Sequence, residues 1–262
     1  MGTYAPTLID SHCHFDFDAF EQDRDALWVR CQQQGMAHLL LPGVEARQWP
    51  KLDNLCEQYK EWSYAVGWHP WYLDSAPSEM AFLYEQLEQA ARAQRCVAIG
   101  ECGLDALKGP DMQRQRQVLQ VHIDLARALQ LPLILHCVKA HGPLMQLIKE
   151  AKLSAGVVIH GFYGSKDLAL QWLKLGVHLG IGAAVTHKRA HKLREAVRAL
   201  PLEAVLLETD APAMSPSWLA NNERNSPEQL PAIAAYIAEL RGEESEHLLR
   251  SNMANCKQLF GF

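Results

Sequence analysis

The stretch Leu8-Ile9-Asp10-Ser11-His12-Cys13-His14-Phe15-Asp16-Phe17 decides how the chain reads. A short apolar run passes into an aspartate, and two histidines then flank a cysteine. Side chains alternate along a strand, so His12 and His14 share one face and Cys13 takes the other. On the same parity Asp10 joins the histidines, and the expectation is that these three face the interior while Cys13 faces outward. One H-x-H pair is a weak signal, because a lone histidine on an apolar strand is ordinarily a core residue with its hydrogen bonds met. Its meaning depends on what the other strands do.

Similar runs recur through the 262 residues. Strands are expected at Leu8–His14, Met36–Pro42, Ser63–His69, Cys96–Glu101, Leu131–His136, Val157–His160, Val177–Ile181 and Ala204–Asp210, each short, apolar and bounded by Gly, Pro or charge. Amphipathic stretches of helical length lie between them. In Gln113–Gln130 the residues Val118, Leu119, His122, Ile123, Leu125, Ala126 and Leu129 recur at helical spacing, with Asp111 placed to cap and Pro132 just beyond. Arg189–Leu200 and Ser226–Arg241 read the same way, and a last helix is expected near Glu243–Phe260. Strands alternating with helices indicate an α/β fold of the closed (β/α)8 TIM-type barrel, one domain over residues 1–262. An open doubly wound sheet is disfavoured, since neither G-x-G-x-x-G nor G-x-x-x-x-G-K-[ST] is present.

Composition narrows the class further. No run approaches the ~18 apolar residues of a membrane span, and Met1 to Pro6 lacks the pattern of a signal peptide. The seven cysteines form no C-x-x-C pair, which points to free thiols in a reducing cytoplasm. A formal net charge of −5 argues against wrapping long duplex nucleic acid. It is compatible with gripping a strand end through a few local cations.

Catalytic residues of such barrels gather at the C-terminal ends of strands. Here those ends carry His12 and His14, Glu101, His136, His160 and Asp210. Six ionisable groups at the ends of five expected strands would be costly to bury without a cation. Their nitrogen and oxygen donors suit zinc, manganese or magnesium. One catalytic zinc takes about three protein ligands, so two ions sharing a carboxylate use the set better.

The ordered segments "DSHCHFDF" at Asp10, "VGWHP" at Val66, "IGECGLD" at Ile99, "LPLILHC" at Leu131, "VVIHGFYGS" at Val157, "LLETDAP" at Leu206 and "NSPEQLP" at Asn225 resemble the TatD-type metal-dependent deoxyribonucleases, within the amidohydrolase-like barrel superfamily. The resemblance spans nearly the whole chain. It implies a two-metal hydrolase in which His12, His14 and Asp210 hold one ion, His136 and His160 the other, and Glu101 bridges. It implies phosphodiester hydrolysis on DNA, at single-stranded ends in 3′-5′ exonuclease fashion, by a metal-bridged hydroxide attacking phosphorus. Asp210 is then the general base and Glu101 the second catalytic carboxylate. His69 would sit at the rim and meet a substrate phosphate. Glu208, sharing Asp210's parity, would stand behind a ligand histidine, and Asp10 likewise behind the ligands.

Cations on the expected loops are candidates for phosphate contacts: Lys139, Lys166, Lys188 and Arg189. Trp68, Trp71, Phe162 and Tyr163 are candidates for base stacking, with barrel-to-helix packing expected to claim at least two of them. The sequence departs from the family pattern at the rim, with Cys137-Val138-Lys139 after the fifth-strand histidine, Ala106 after Gly-Leu-Asp, and Ala213-Met214 after Thr-Asp-Ala-Pro. These positions bear on substrate preference rather than on the ligands. The expected partner is a nucleic acid strand end, and the expected state is a monomer. The alternatives are a metal-dependent C–N or ester hydrolase of a small metabolite, disfavoured by Glu101 where a bridging lysine would stand, and a non-catalytic metal-holding scaffold, disfavoured by the eighth-strand Asp210.

Overall fold

Each apolar run becomes a strand, and all eight strands join one parallel sheet in the order β1 to β8. The computed structural model describes residues 8–220 and 223–262; the reading of Met1 to Pro6 lies outside them. The strands are β1 (Leu8–Asp10), β2 (Met36–Pro42), β3 (Trp62–Val66), β4 (Cys96–Asp105), β5 (Leu133–Val138), β6 (Val157–Ile159), β7 (Val177–Ile181) and β8 (Val205–Leu207). The helices are α1 (Arg24–Gln33), α2 (Trp49–Gln58), α3 (Met80–Ala91), α4 (Met112–Leu129), α5 (His141–Ala151), α6 (Lys166–Leu173), α7 (His191–Ala199), α8 (Leu230–Arg241) and α9 (Ser245–Phe260). The architecture is the expected (β/α)8 barrel. No described helix is long and apolar enough to cross a membrane.

Helix α4 shows how local sequence sets an element. The Asp111 carboxylate accepts from the Arg114 amide at 3.0 Å, satisfying a donor that the first turn leaves free. The apolar face of α4 then buries Val118, Leu119, Ile123, Leu125 and Ala126. The helix stops where Gln130 enters the left-handed region at φ 54°.

Two apolar layers result. The larger lies between sheet and helices. The smaller fills the barrel interior with Ile9, Leu40, Ala65, Ala98, Ile134, Val158 and Leu206, and α9 closes it with Cys256, Leu259 and Phe260. These interior residues come from seven of the strands and pack as a layer near the N-terminal end.

The β1–β8 seam is completed by residues around and beyond the short strands. The Ser11 amide donates to Leu207 O at 3.0 Å and the Asp210 amide to His12 O at 2.9 Å. At the base of the seam the buried Asn252 side chain, on α9, donates to Ile9 O at 2.9 Å and accepts from the Leu207 amide at 2.8 Å. One side-chain amide thus supplies both halves of the missing strand-to-strand pairing.

Several expected strand ends shift. β1 stops at Asp10 rather than His14, β3 at Val66 rather than His69, β6 at Ile159 rather than His160 and β8 at Leu207 rather than Asp210, so these ligand-type residues stand on the exit turns. β4 instead runs on to Asp105.

Candidate metal centre

The barrel brings His12, His14, Glu101, His136, His160 and Asp210 together at the C-terminal end, all buried. Strand parity alone does not place them. Ile9 and His12 lie three apart yet both face inward, as do Ala98 and Glu101. On β4 the alternation is reset by a shift in pairing register between Ile99 and Cys102. Gly100 is required there, since it sits at φ 136° and a Cβ would stand 2.5 Å from Ile134 O. On β5, β6 and β8 plain alternation suffices: Ile134 leads to His136, Val158 to His160, and Leu206 to Glu208 and Asp210. Cys13 and Cys102 lie in the outer apolar layer and Cys137 packs against it, as parity indicated.

Glu101 stands at the centre with its two oxygens facing different histidines. Oε2 lies 3.2 Å from His12 Nε2 and 3.5 Å from His14 Nε2. Oε1 lies 2.7 Å from His160 Nε2, 3.2 Å from His136 Nδ1 and 3.1 Å from His69 Nε2. Asp210 Oδ1 lies 3.6 Å from His12 Nε2 and 3.5 Å from His14 Nε2. Asp210 itself adopts φ 52°, a left-handed conformation unusual for aspartate, held by its amide bond to His12 O.

The donor set fits divalent ions. Ligand atoms ~2.0–2.1 Å from a tetrahedral ion stand roughly 3.3–3.4 Å apart, close to the 3.2–3.6 Å that separates His12 and His14 from Glu101 Oε2 and Asp210 Oδ1. Both ring nitrogens of His12 and the Nδ1 of His14 and of His160 are buried without a hydrogen-bond partner. His136 presents Nδ1 inward because its Nε2 faces Asp105 Oδ2 at 3.2 Å. A carboxylate only accepts, so that contact puts the ring proton on Nε2 and leaves the Nδ1 lone pair free.

Charge in the cluster points the same way. Burial opposes ionisation of Glu101, yet His160, His69 and His12 hold it well below the usual carboxylate range. Burial also opposes protonation of His14, yet Asp210 and Glu101 raise it to about 10. His12, by contrast, is lowered to about 4 by burial and by His160. The proton on His14 therefore does part of the neutralising that a cation would do, and a bound ion would displace it.

These contacts change where three of the expected residues stand. His69 does not sit at the rim: it is buried against Glu101, with its ring centroid 4.3 Å from that of His136. Its Nδ1 accepts from the Trp71 amide at 3.1 Å, so Nε2 carries a proton aimed at Glu101. The cause is the early end of β3, which turns the Gly-Trp-His-Pro stretch inward. Asp10 meets backbone and the Thr209 hydroxyl rather than a ring. Ile9 takes the interior, and the Asp10 carboxylate accepts from the Thr209 amide and hydroxyl at 3.0 and 2.6 Å and from the His12 amide at 3.3 Å. It ties together the backbones that carry His12 and Asp210, and burial raises it to about 7. Glu208 likewise meets no histidine ring: its Oε1 accepts from the Gly161 amide at 2.5 Å, fixing the turn after His160. Burial and then Asp210 raise it well above the usual carboxylate range. Gly180 makes room for it, because a Cβ there would stand 2.1 Å from Glu208 Oε2.

Sequence reading missed Asp105. It lies in the quoted segment "IGECGLD", but β4 was expected to end at Glu101, which left Asp105 in a loop. Besides His136, it accepts from Trp71 Nε1 at 2.7 Å and from the Leu107 and Lys108 amides at 2.8 and 3.0 Å. The other rim residues divide clearly. Trp68 and Phe162 are packing residues, 3% and 2% exposed, whereas Trp71 and Tyr163 are 44% and 55% exposed. Lys139, at φ 54°, and Lys166, opening α6, are both exposed.

The model of the family described as TatD related DNase matches residues 9–261. The chain is 36% identical over 256 residues to a protein of Escherichia coli K12 named "uncharacterized metal-dependent hydrolase YjjV", covering 97% of each. It is also 36% identical to the 3′-5′ ssDNA/RNA exonuclease TatD of Escherichia coli K12, covering 97% of this chain and 99% of that one. The crystal structure of YjjV superposes with a TM-score of 0.92, covering 98% of this chain and 99% of that one at 36% identity.

Proposed function

The chain belongs to the TatD-related DNase family, and from that membership we propose that it removes nucleotides from the 3′ end of single-stranded DNA or RNA with two divalent ions. The observation that carries the reading is the divided loyalty of Glu101. Its Oε2 faces His12, His14 and the side of Asp210, and its Oε1 faces His136 and His160. One carboxylate so placed would serve two ions, with His12, His14 and Asp210 holding one and His136 and His160 the other.

Mg, Mn or Zn held there would acidify water near neutral pH and draw negative charge from a phosphoryl group. The remaining work falls to side chains. Asp210 takes the proton of the attacking water at its carboxylate, which His14 and His160 keep ionised against burial. His69 offers its Nε2–H, directed into the centre, to a phosphoryl oxygen. Asp105 holds His136 in the tautomer that keeps Nδ1 free. Lys139 and Lys166 meet flanking phosphates from the loops. The seven thiols are free, which supports a cytoplasmic enzyme, and we take it to act as a monomer.

The test is hydrolysis by the metal-loaded protein, with Mg²⁺, Mn²⁺ or Zn²⁺ supplied separately. Single-stranded DNA, RNA and simple lactones and amides are compared. Oligonucleotides should shorten from the 3′ end. Turnover of an amide or lactone with every oligonucleotide left intact would move the chain to small-metabolite hydrolysis.

A further inference from the structure

Two clefts of similar size open on the catalytic face, on opposite sides of the metal centre. One, about 580 Å³, is lined by Asp16, Phe17, Asp18, Glu45, Arg47 and Lys51 among others. Its cations are already spent: Arg47 Nε lies 2.5 Å from Glu45 and Lys51 Nζ 3.0 Å from Asp18. The other, about 540 Å³, lies among the loops after β6, β7 and β8. It holds Tyr163, His187, Lys188 and Arg189 and no acidic residue. Among the described residues neither Lys188 nor Arg189 forms an ion pair.

The second cleft is also built to keep its shape. Arg194 donates to the carbonyls of Val185, His187 and Lys188 at 3.1, 2.6 and 3.0 Å, clamping the β7 loop. His187 Nε2 meets Ser215 O at 2.9 Å, and the Ser217 amide donates to Thr186 Oγ1 at 2.9 Å, so the β7 and β8 loops are tied. A loop held this way loses little freedom when a ligand binds. Tyr163 stands three residues beyond His160 in the chain, and its exposed ring lines the cleft.

We infer that this β6–β8 cleft binds the body of the substrate strand, with a base stacked on Tyr163 and successive phosphates on Lys188 and Arg189. The inference rests on the nuclease reading. A polyanion with flat bases is the ligand that unpaired cations beside an exposed aromatic ring accommodate, whatever the base sequence. The opposite cleft, with its acids and neutralised cations, offers a phosphate chain nothing comparable. The strand therefore enters from the β6–β8 side, and the terminal nucleoside, which carries no further phosphate, points toward Asp16 and Glu45.

The test uses the full chain loaded with metal and two substrates: a short single-stranded oligonucleotide, and bis(p-nitrophenyl) phosphate, which has no strand. The variants are K188A/R189A, Tyr163→Ala, Tyr163→Phe and, in the other cleft, R47A/K51A. On the oligonucleotide, K188A/R189A should raise KM roughly tenfold while kcat stays within about twofold. The slope of log Kd against log salt should flatten by about 1.4, since each single-strand phosphate contact contributes ~0.7. Tyr163→Ala should weaken oligonucleotide binding ~5-fold or more, and Tyr163→Phe should restore it. None of the variants should alter hydrolysis of bis(p-nitrophenyl) phosphate, and R47A/K51A should leave the salt slope unchanged. If the oligonucleotide is cleaved normally but KM and slope match the wild type in K188A/R189A, the cleft assignment is wrong and the nuclease reading stands. Equal losses on both substrates would also refute it, by placing these cations at the scissile bond. If the wild type cleaves the small ester and no oligonucleotide, both readings fall together.

Discussion

The two ends of this barrel are built from the same strands and could hardly differ more. At the N-terminal end Ile9, Leu40, Ala98, Ile134, Val158 and Leu206 meet under α9 in an apolar layer. At the C-terminal end the continuations of five of those strands carry His12, His14, Glu101, His136, His160 and Asp210 around a shared centre. On β5 and β6 the change takes two residues, one step of the alternation. A folded barrel can tolerate so many buried ionisable groups because they are confined to one end, while the other supplies burial without polar cost. Stability and chemistry should therefore be separable by mutation.

The largest expected effect is at the charged end. Glu101→Ala removes the carboxylate that faces both histidine sets, so hydrolysis should fall by ~10³-fold or more, with metal content falling in step. Elemental analysis decides the cause: full metal content in an inactive variant would mean that Glu101 serves catalysis without bridging. At the apolar end Leu40→Ala, on a strand that contributes no expected ligand, should lower the stability of the protein by about 2–5 kcal/mol. Urea unfolding measures that, and metal content per folded molecule should stay at the wild-type level. A loss of metal there would show the two ends to be coupled.

Asp105→Asn lies between these extremes. It should weaken metal binding ~10–100-fold, because His136 loses the partner that fixes its tautomer. Titration with a competing chelator reads this directly, and an unchanged affinity would leave Asp105 as a loop anchor only. The smallest effect concerns His122, buried on α4. Its Nε2 accepts from the Trp68 amide at 2.9 Å, and its Nδ1–H donates to Val118 O at 2.8 Å, so the fold needs it neutral. Burial lowers it to about 4 from the ordinary value of 6.5. Its contribution is therefore complete above pH 6.5 and is lost as pH falls toward 4, where the unfolded chain takes up the proton first. In chelator-treated protein, His122→Gln should start less stable at neutral pH and lose less on acidification. A parallel decline in both would assign the acid sensitivity to other buried histidines such as His38, also lowered to about 4.

What the sequence made legible follows from which strands keep a regular alternation. β5, β6 and β8 do, and there the inward residues His136, His160 and Asp210 could be read from spacing. β1 and β4 do not: the chain resets its parity between Ile9 and His12 and between Ala98 and Glu101. Such irregularities arise from neighbouring backbones, here the approach of Ile134 to Gly100. The same limit explains the carboxylates. Nothing in the local pattern distinguishes Asp10 and Glu208, which meet no ring, from Asp105, which meets the rings of His136 and Trp71 as well as backbone amides. Only the neighbouring strand shows which donor each one meets.

The seam has a consequence in time. Asn252 joins Ile9 and Leu207, positions 243 and 45 residues before it in the chain. On the ribosome, His12 and His14 emerge early and Asp210 much later, and the side chain that staples their strands together follows after both. Until position 252 is made, the first strand lacks this staple to the eighth. The two flanks of the metal centre are thus tied together by a residue made after both of them.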